Sequence, residues 1–137
     1  MPPLRGGAIT IACTDRRRSE HFYEKILGAK ISPGDGYGCP WLQLGSLTIS
    51  LMPNASEPSP AKFPERAMPM LYLEADDLAA VRKYFRKNKI KILEDDDVSV
   101  TISDPDGILI EVWEADPDRP RLQNRPGRKK RRTHFFD

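Results

Sequence analysis

Two tryptophans, a tyrosine and two glutamates sit at alternating positions in short apolar runs of the chain. The runs carry Trp41 and Gln43, then Thr48 and Ser50, then Met70, Tyr72 and Glu74, and last Glu111 and Trp113. A spacing of two puts such side chains on one face of a strand. Indole and phenol rings stack on planar groups or face a cation. The carboxylates of Glu74 and Glu111 can neutralise a positive ligand, and Glu111 is the one candidate for a catalytic residue. It would act as a general base, with Tyr72 or Glu74 as its partner. Apolar walls with a few polar groups characterise small-molecule clefts. The expected ligand-binding set is therefore Trp41, Gln43, Ser50, Met70, Tyr72, Glu74, Glu111 and Trp113. Blander readings compete. An antiparallel sheet with one solvated face also alternates. Glu111 could be a rim carboxylate paired with an arginine, and the tryptophans could pack in a dimer interface.

Other reactive residues carry less. Asp76-Asp77 and Asp95-Asp96-Asp97 lack calcium-loop spacing and read as solvated turns, with Asp77 a helix cap. His21 falls on a helix and His134 in the tail, both in solvated settings. Cys13 and Cys39 are the only cysteines, and two thiols fit a reducing compartment better than a disulfide does.

The elements that position the alternating residues come in two copies. Ile9–Cys13 is a strand followed by Asp15; Leu71–Ala75, the body of a Met70–Ala75 strand, is followed by Asp77. Each Asp is an N-cap whose carboxylate can accept from first-turn amides. Each begins an amphipathic helix with an aromatic pair, Phe22–Tyr23 or Tyr84–Phe85, and the offset between copies is 62 residues at both landmarks. The first helix runs to about Leu27 and stops at Gly28. Strands follow at Ala29–Ser32, Trp41–Leu44 and Leu47–Met52, and in the second copy at Ile90–Leu93, Val98–Ile102 and Ile108–Trp113. Gly45-Ser46 reads as a hairpin turn and Asp104-Pro105-Asp106-Gly107 as a strong turn. Prolines 53, 58, 60 and 64 make residues 53–68 a linker. The order β-α-β-β-β, twice, predicts an α+β chain with helices on the outer faces of curled mixed sheets around a cleft. Its helix-packed faces carry Ile9, Ile11 and Cys13, then Leu42 and Leu44, Leu47, Ile49 and Leu51, Leu71, Leu73 and Ala75, Val98, Val100 and Ile102, and Ile108, Ile110 and Val112.

With 137 residues the natural expectation is one domain, here residues 1–115 with modules 7–52 and 69–114. The net charge of +2 hides an asymmetry. Residues 1–114 carry 14 Lys and Arg against 17 Asp and Glu, whereas residues 115–137 carry 8 against 3. Residues 116–137 read as a basic, disordered tail, since prolines 117, 120 and 126 lead into the run from Arg125 to Arg132. No apolar run is long enough to span a membrane, and MPPLRGGAIT lacks a signal-peptide core, which points to the cytoplasm.

These pieces resemble the vicinal oxygen chelate superfamily, which includes glyoxalase I, the bleomycin-resistance proteins and the extradiol dioxygenases. The resemblance rests on Asp15 with Ser19, on Phe22-Tyr23 and Leu27-Gly28, and on Ser103-Asp104-Pro105-Asp106-Gly107-Ile108-Leu109-Ile110-Glu111. It covers about residues 7–114 and implies paired βαβββ modules, an open cleft and a homodimer. Metal-using members place ligands on the first, fourth, fifth and eighth strands. Alignment on Asp15 and Asp77 puts those positions at Ala8, about Ser50, Met70 and Glu111. One carboxylate does not hold a divalent ion, so no metal and no cofactor are expected.

The expected function is therefore small-molecule binding in a metal-free cleft, as in the resistance members, rather than catalysis. A metal-dependent lyase or dioxygenase is the alternative. Binding of nucleic acid or another polyanion through the basic tail is a second, less favoured alternative.

Overall fold

The computed structural model describes residues 1–34, 38–53, 69–116 and 118. The expected linker beyond Pro53, part of the turn after Pro33 and the basic tail, save Asp116 and Asp118, lie outside the described residues. The chain divides into two compact units, Met1–Pro60 and Ala61–Asp137.

The first unit holds β1 (Ile9–Ala12), α1 (Arg16–His21), β2 (Lys30–Ser32), β3 (Trp41–Leu44) and β4 (Leu47–Met52). The second holds β5 (Leu71–Ala75), α2 (Leu78–Lys87), β6 (Glu94–Asp95), β7 (Ser99–Ser103) and β8 (Leu109–Glu114). The sheets have the same plan, β1-β4-β3-β2 and β5-β8-β7-β6. In each, the first strand runs parallel to the last and the other neighbours are antiparallel. The expected α+β architecture of two βαβββ modules is what the chain forms.

Both helices start as the aspartates dictate. The Asp15 carboxylate accepts from the Arg18 amide at 3.1 Å, and that of Asp77 from the Ala80 amide at 3.0 Å. Each satisfies a first-turn donor that has no partner within its helix. The helices end differently. After His21 the first continues as a π-helical turn, Phe22–Ile26, in which the Leu27 amide donates to the Phe22 carbonyl at 3.0 Å. Gly28 then adopts a φ of +78°, and the Ala29 amide reaches the Tyr23 carbonyl at 2.8 Å. In the second module Lys89 takes the left-handed position with a φ of +57°, and the Ile90 amide reaches the Phe85 carbonyl at 2.8 Å. Ala29 matches Ile90, an offset of 61, whereas Tyr23 matches Phe85, an offset of 62. The first helix thus holds one extra residue, which the wider π turn absorbs.

The apolar faces form the core. In the first unit Ile11, Cys13, Phe22, Tyr23, Leu42, Ile49 and Leu51 are buried; in the second, Leu71, Leu78, Phe85, Val100, Ile102, Ile110 and Val112. The alternation overreaches at strand entrances. Ile9 is 50% exposed and Val98 46% exposed, because Ile9 opens an edge strand and Val98 precedes β7.

Strand bounds differ from expectation mainly at one place. Ile90–Leu93 is not a strand, since Lys89 and Ile90 are still engaged in ending α2. The strand of that position is Glu94–Asp95, paired with Thr101 and Val100, so Asp95 belongs to a ladder rather than to a turn. Nor is the acidic stretch merely solvated. Arg82 Nε donates to Asp95 Oδ1 at 2.9 Å and Arg82 Nη2 to the Asp96 carbonyl, while Arg86 lies 3.6 Å from Asp95. These contacts tie α2 to the β6–β7 turn.

Candidate functional site

Strand register decides which of the candidate side chains are neighbours. Residues directly opposite across a ladder share a face. In the second sheet, Tyr72 pairs with Glu111, Glu111 with Thr101, and Thr101 with Glu94. The next row is Glu74, Trp113 and Ser99. Tyr72, Glu74, Glu111 and Trp113 therefore occupy one face of β5 and β8, as their alternation implied. Met70 precedes β5 rather than opening it.

The two rings of this face touch. Tyr72 and Trp113 stack with centroids 6.0 Å apart and planes inclined by 20°. Tyr72 is 40% exposed, whereas Glu74, Glu111 and Trp113 are half-buried. The short side chains beside them, Ser99 and Thr101, are buried. Glu94, absent from the expected set, belongs to the same face through its pairing with Thr101. It was missed because the strand that carries it was placed too early in the chain. Its period relative to Glu111 gives no local signal, as only the β6–β7 register connects them.

The hold on β7 and β8 is local and polar. Asp104 is buried, and its carboxylate accepts from the amides of Asp106 and Ile108, both at 2.9 Å. The Gly107 amide closes the turn on the Asp104 carbonyl at 3.0 Å. At the other end of β7 the Asp96 carboxylate accepts from the amides of Val98 and Ser99, each at 3.0 Å. These bonds, the one from Val98 foremost, hold its pKa below the usual carboxylate value.

The first sheet repeats the pattern with different chemistry. Thr10 pairs with Ser50, Ser50 with Trp41, and Trp41 with Ser32. Ser50 thus stands in β4 where Glu111 stands in β8, and Trp41 stands where Thr101 does. Ser50 is buried and Trp41 half-buried. Gly34, with a φ of +71°, lies so close to the Trp41 ring that an added Cβ would come within 2.7 Å of its Cδ1. Gln43 is engaged within its own hairpin. Its amide donates to the Gly45 carbonyl at 2.6 Å and accepts from the Thr48 hydroxyl at 2.6 Å. Of the expected set, Trp41, Gln43 and Ser50 fall on one sheet, and Tyr72, Glu74, Glu111 and Trp113 on the other.

The comparisons agree with this architecture. A family model described as Glyoxalase/Bleomycin resistance protein/Dioxygenase superfamily matches residues 7–112. No curated protein matches the chain. Among solved structures, an integron cassette protein from the mobile metagenome of Vibrio cholerae is similar at 26% identity, with a TM-score of 0.66, covering 85% of this chain and 98% of that one. The lactoylglutathione lyase of Agrobacterium tumefaciens is similar at 23% identity, with a TM-score of 0.56 and 83% and 96% coverage. A mutant of the fosfomycin resistance protein FosX of Listeria monocytogenes, complexed with Mn(II) and a dihydroxypropylphosphonic acid, is similar at 16% identity, with a TM-score of 0.61 and 82% and 90% coverage. The last two likenesses concern the fold alone.

The donors available for an ion can be judged from the residues themselves. A divalent transition ion takes three or four N, O or S donors. Ala8 brings none, Met70 a weakly donating thioether, Ser50 a hydroxyl and Glu111 a carboxylate. Among the described residues no three of His, Cys, Asp and Glu group together in a way that could hold a metal. This donor set does not fit a family-type metal site. Among the same residues no helix is long and apolar enough to cross a membrane. By its sequence match and by its paired βαβββ sheets, the chain belongs to the Glyoxalase/Bleomycin resistance protein/Dioxygenase superfamily.

Proposed function

We propose that the chain binds a small molecule without a family-type metal, and that binding rather than lyase or dioxygenase chemistry is its role. The observation that carries this reading is the Tyr72–Trp113 stack on a sheet face that also bears Glu74 and Glu111. An aromatic surface beside carboxylates gives a ligand both contact area and orientation. Trp41, Gln43, Ser50 and Met70 complete the proposed ligand-binding set. The donors at Ala8, Ser50, Met70 and Glu111 support a metal-free site, because they are too few for the ion that polarises substrate oxygens in metal-dependent chemistry. Glu111 is the residue on which any proton transfer would fall.

The reading includes a cytoplasmic homodimer and leaves the basic tail as a solubilising segment. Light scattering tests the dimer, and truncation at residue 115 with nucleic-acid retention at two salt concentrations tests the tail. The function itself is tested by assaying hemithioacetals and catechols with and without added Mn(II), Ni(II), Zn(II) and Fe(II). No turnover is expected under any condition, together with saturable binding in a screen of small planar compounds. Metal-dependent turnover lost in Glu111→Gln would replace this reading with the lyase or dioxygenase one.

A further inference from the structure

We infer that the second sheet selects a planar, positively charged ligand and rejects anions; this rests on the small-molecule reading above. The face that carries the Tyr72–Trp113 stack also carries Glu74, Glu94 and Glu111. Its other strand residues, Ser99, Thr101, Ser103 and Leu109, are neutral, so the strands of this sheet bring no cation to that face.

The charges of the segment are sorted in the same sense. Residues 69–116 contain six Lys and Arg against twelve Asp and Glu, and all six cations fall between Arg82 and Lys91. Arg82 and Arg86 are engaged with Asp95, on the opposite parity from Glu94. The positive charge of the unit is thus carried by α2 and the segment after it.

A half-buried carboxylate holds an organic cation more firmly than an exposed one does, since the local dielectric is lower and screening weaker. Glu74 and Glu111 are half-buried. The face of an aromatic ring attracts a cation through its quadrupole. Tyr72, exposed and backed by Trp113, offers such a face next to the two carboxylates. A flat cation gains stacking area and charge pairing together. A flat anion of the same size gains the area and meets three like charges. The selectivity is therefore opposite to that needed for a phosphonic acid, which FosX holds together with Mn(II).

The test is an NMR titration of the full chain with ¹⁵N-labelled tryptophan, the two indole signals being assigned with Trp41→Phe. The probes are N-methylquinolinium, neutral quinoline and quinoline-2-carboxylate at pH 8. The cation is expected to move the Trp113 signal saturably and to bind about tenfold more tightly than quinoline. Glu74→Gln and Glu111→Gln should each weaken the cation several-fold and leave quinoline unchanged. Equal or tighter binding of quinoline or the carboxylate at Trp113 overturns the charge selectivity and leaves the small-molecule reading standing. Binding that moves Trp41 alone overturns the placement and also leaves that reading. No movement of either indole by any probe overturns both.

Discussion

Tyr72 and Trp113 stand diagonally across the parallel β5–β8 ladder, and their rings stack with centroids 6.0 Å apart. Such pairs contribute about 0.5–1.5 kcal/mol beyond the area they bury. A double-mutant cycle of Tyr72→Leu and Trp113→Leu, read by urea denaturation, should give a coupling energy in that range. Strictly additive losses would show that the rings pack independently.

The two helix ends predict opposite substitutions. Gly28 has a φ of +78° with open space where a Cβ would go, so Gly28→Ala should cost about 1 kcal/mol through backbone strain alone. Lys89 already bears that strain at a φ of +57°, so Lys89→Gly should be neutral or stabilising by up to about 1 kcal/mol. Thermal unfolding of both variants checks the pair. A clear loss of stability in Lys89→Gly would contradict the left-handed assignment.

At Gly34 the cost comes from space as well as from φ. A Cβ there would lie 2.3 Å from the Cys39 carbonyl oxygen and 2.7 Å from the Trp41 ring. The carbonyl is backbone and cannot step aside cheaply. Gly34→Ala should destabilise by about 1–3 kcal/mol and shift tryptophan emission, because the Trp41 ring must move. An unchanged emission maximum with unchanged stability would contradict the close approach.

Asp96 sets a pH dependence. Its carboxylate is held below the usual value by the Val98 and Ser99 amides, so the folded state favours the ionised form. The associated stability is fully present above the unfolded-state value of about 3.9 and is lost as pH falls toward the lower folded value. Asp96→Asn should lose this part of the acid limb, so that its stability falls less between neutral pH and about pH 3 than that of the parent. Parallel acid limbs in the two proteins would contradict the assignment.

Much of this fold is legible in the chain. The hairpin from Trp41 to Met52 follows from alternation around Gly45-Ser46, and the bonds from Asp15 and Asp77 to the amides three residues on follow from capping chemistry. Alternation also placed Tyr72, Glu74, Glu111 and Trp113 on one face, because a strand has no other way to arrange them. What it could not supply is register. That Tyr72 opposes Glu111 and Glu74 opposes Trp113, making the two rings diagonal neighbours, depends on how β5 slides along β8. The apolar run Ile90–Leu93 imitates a strand, but the end of α2 claims its first residue, and the true strand is two acidic residues long. The π turn left a trace in the repeat offset, which falls from 62 to 61 between the aromatic pair and the helix end. Helical periodicity alone, over a single turn, does not resolve that one residue.

The central claim is that this member of the superfamily presents a ligand-binding face without the donors for an ion. Native mass spectrometry after incubation with Mn(II), Ni(II), Zn(II) or Fe(II) and buffer exchange tests it most directly. The account predicts the metal-free mass for the parent chain and for Glu111→Gln alike. A stoichiometric ion retained by the parent chain and lost in Glu111→Gln would contradict it.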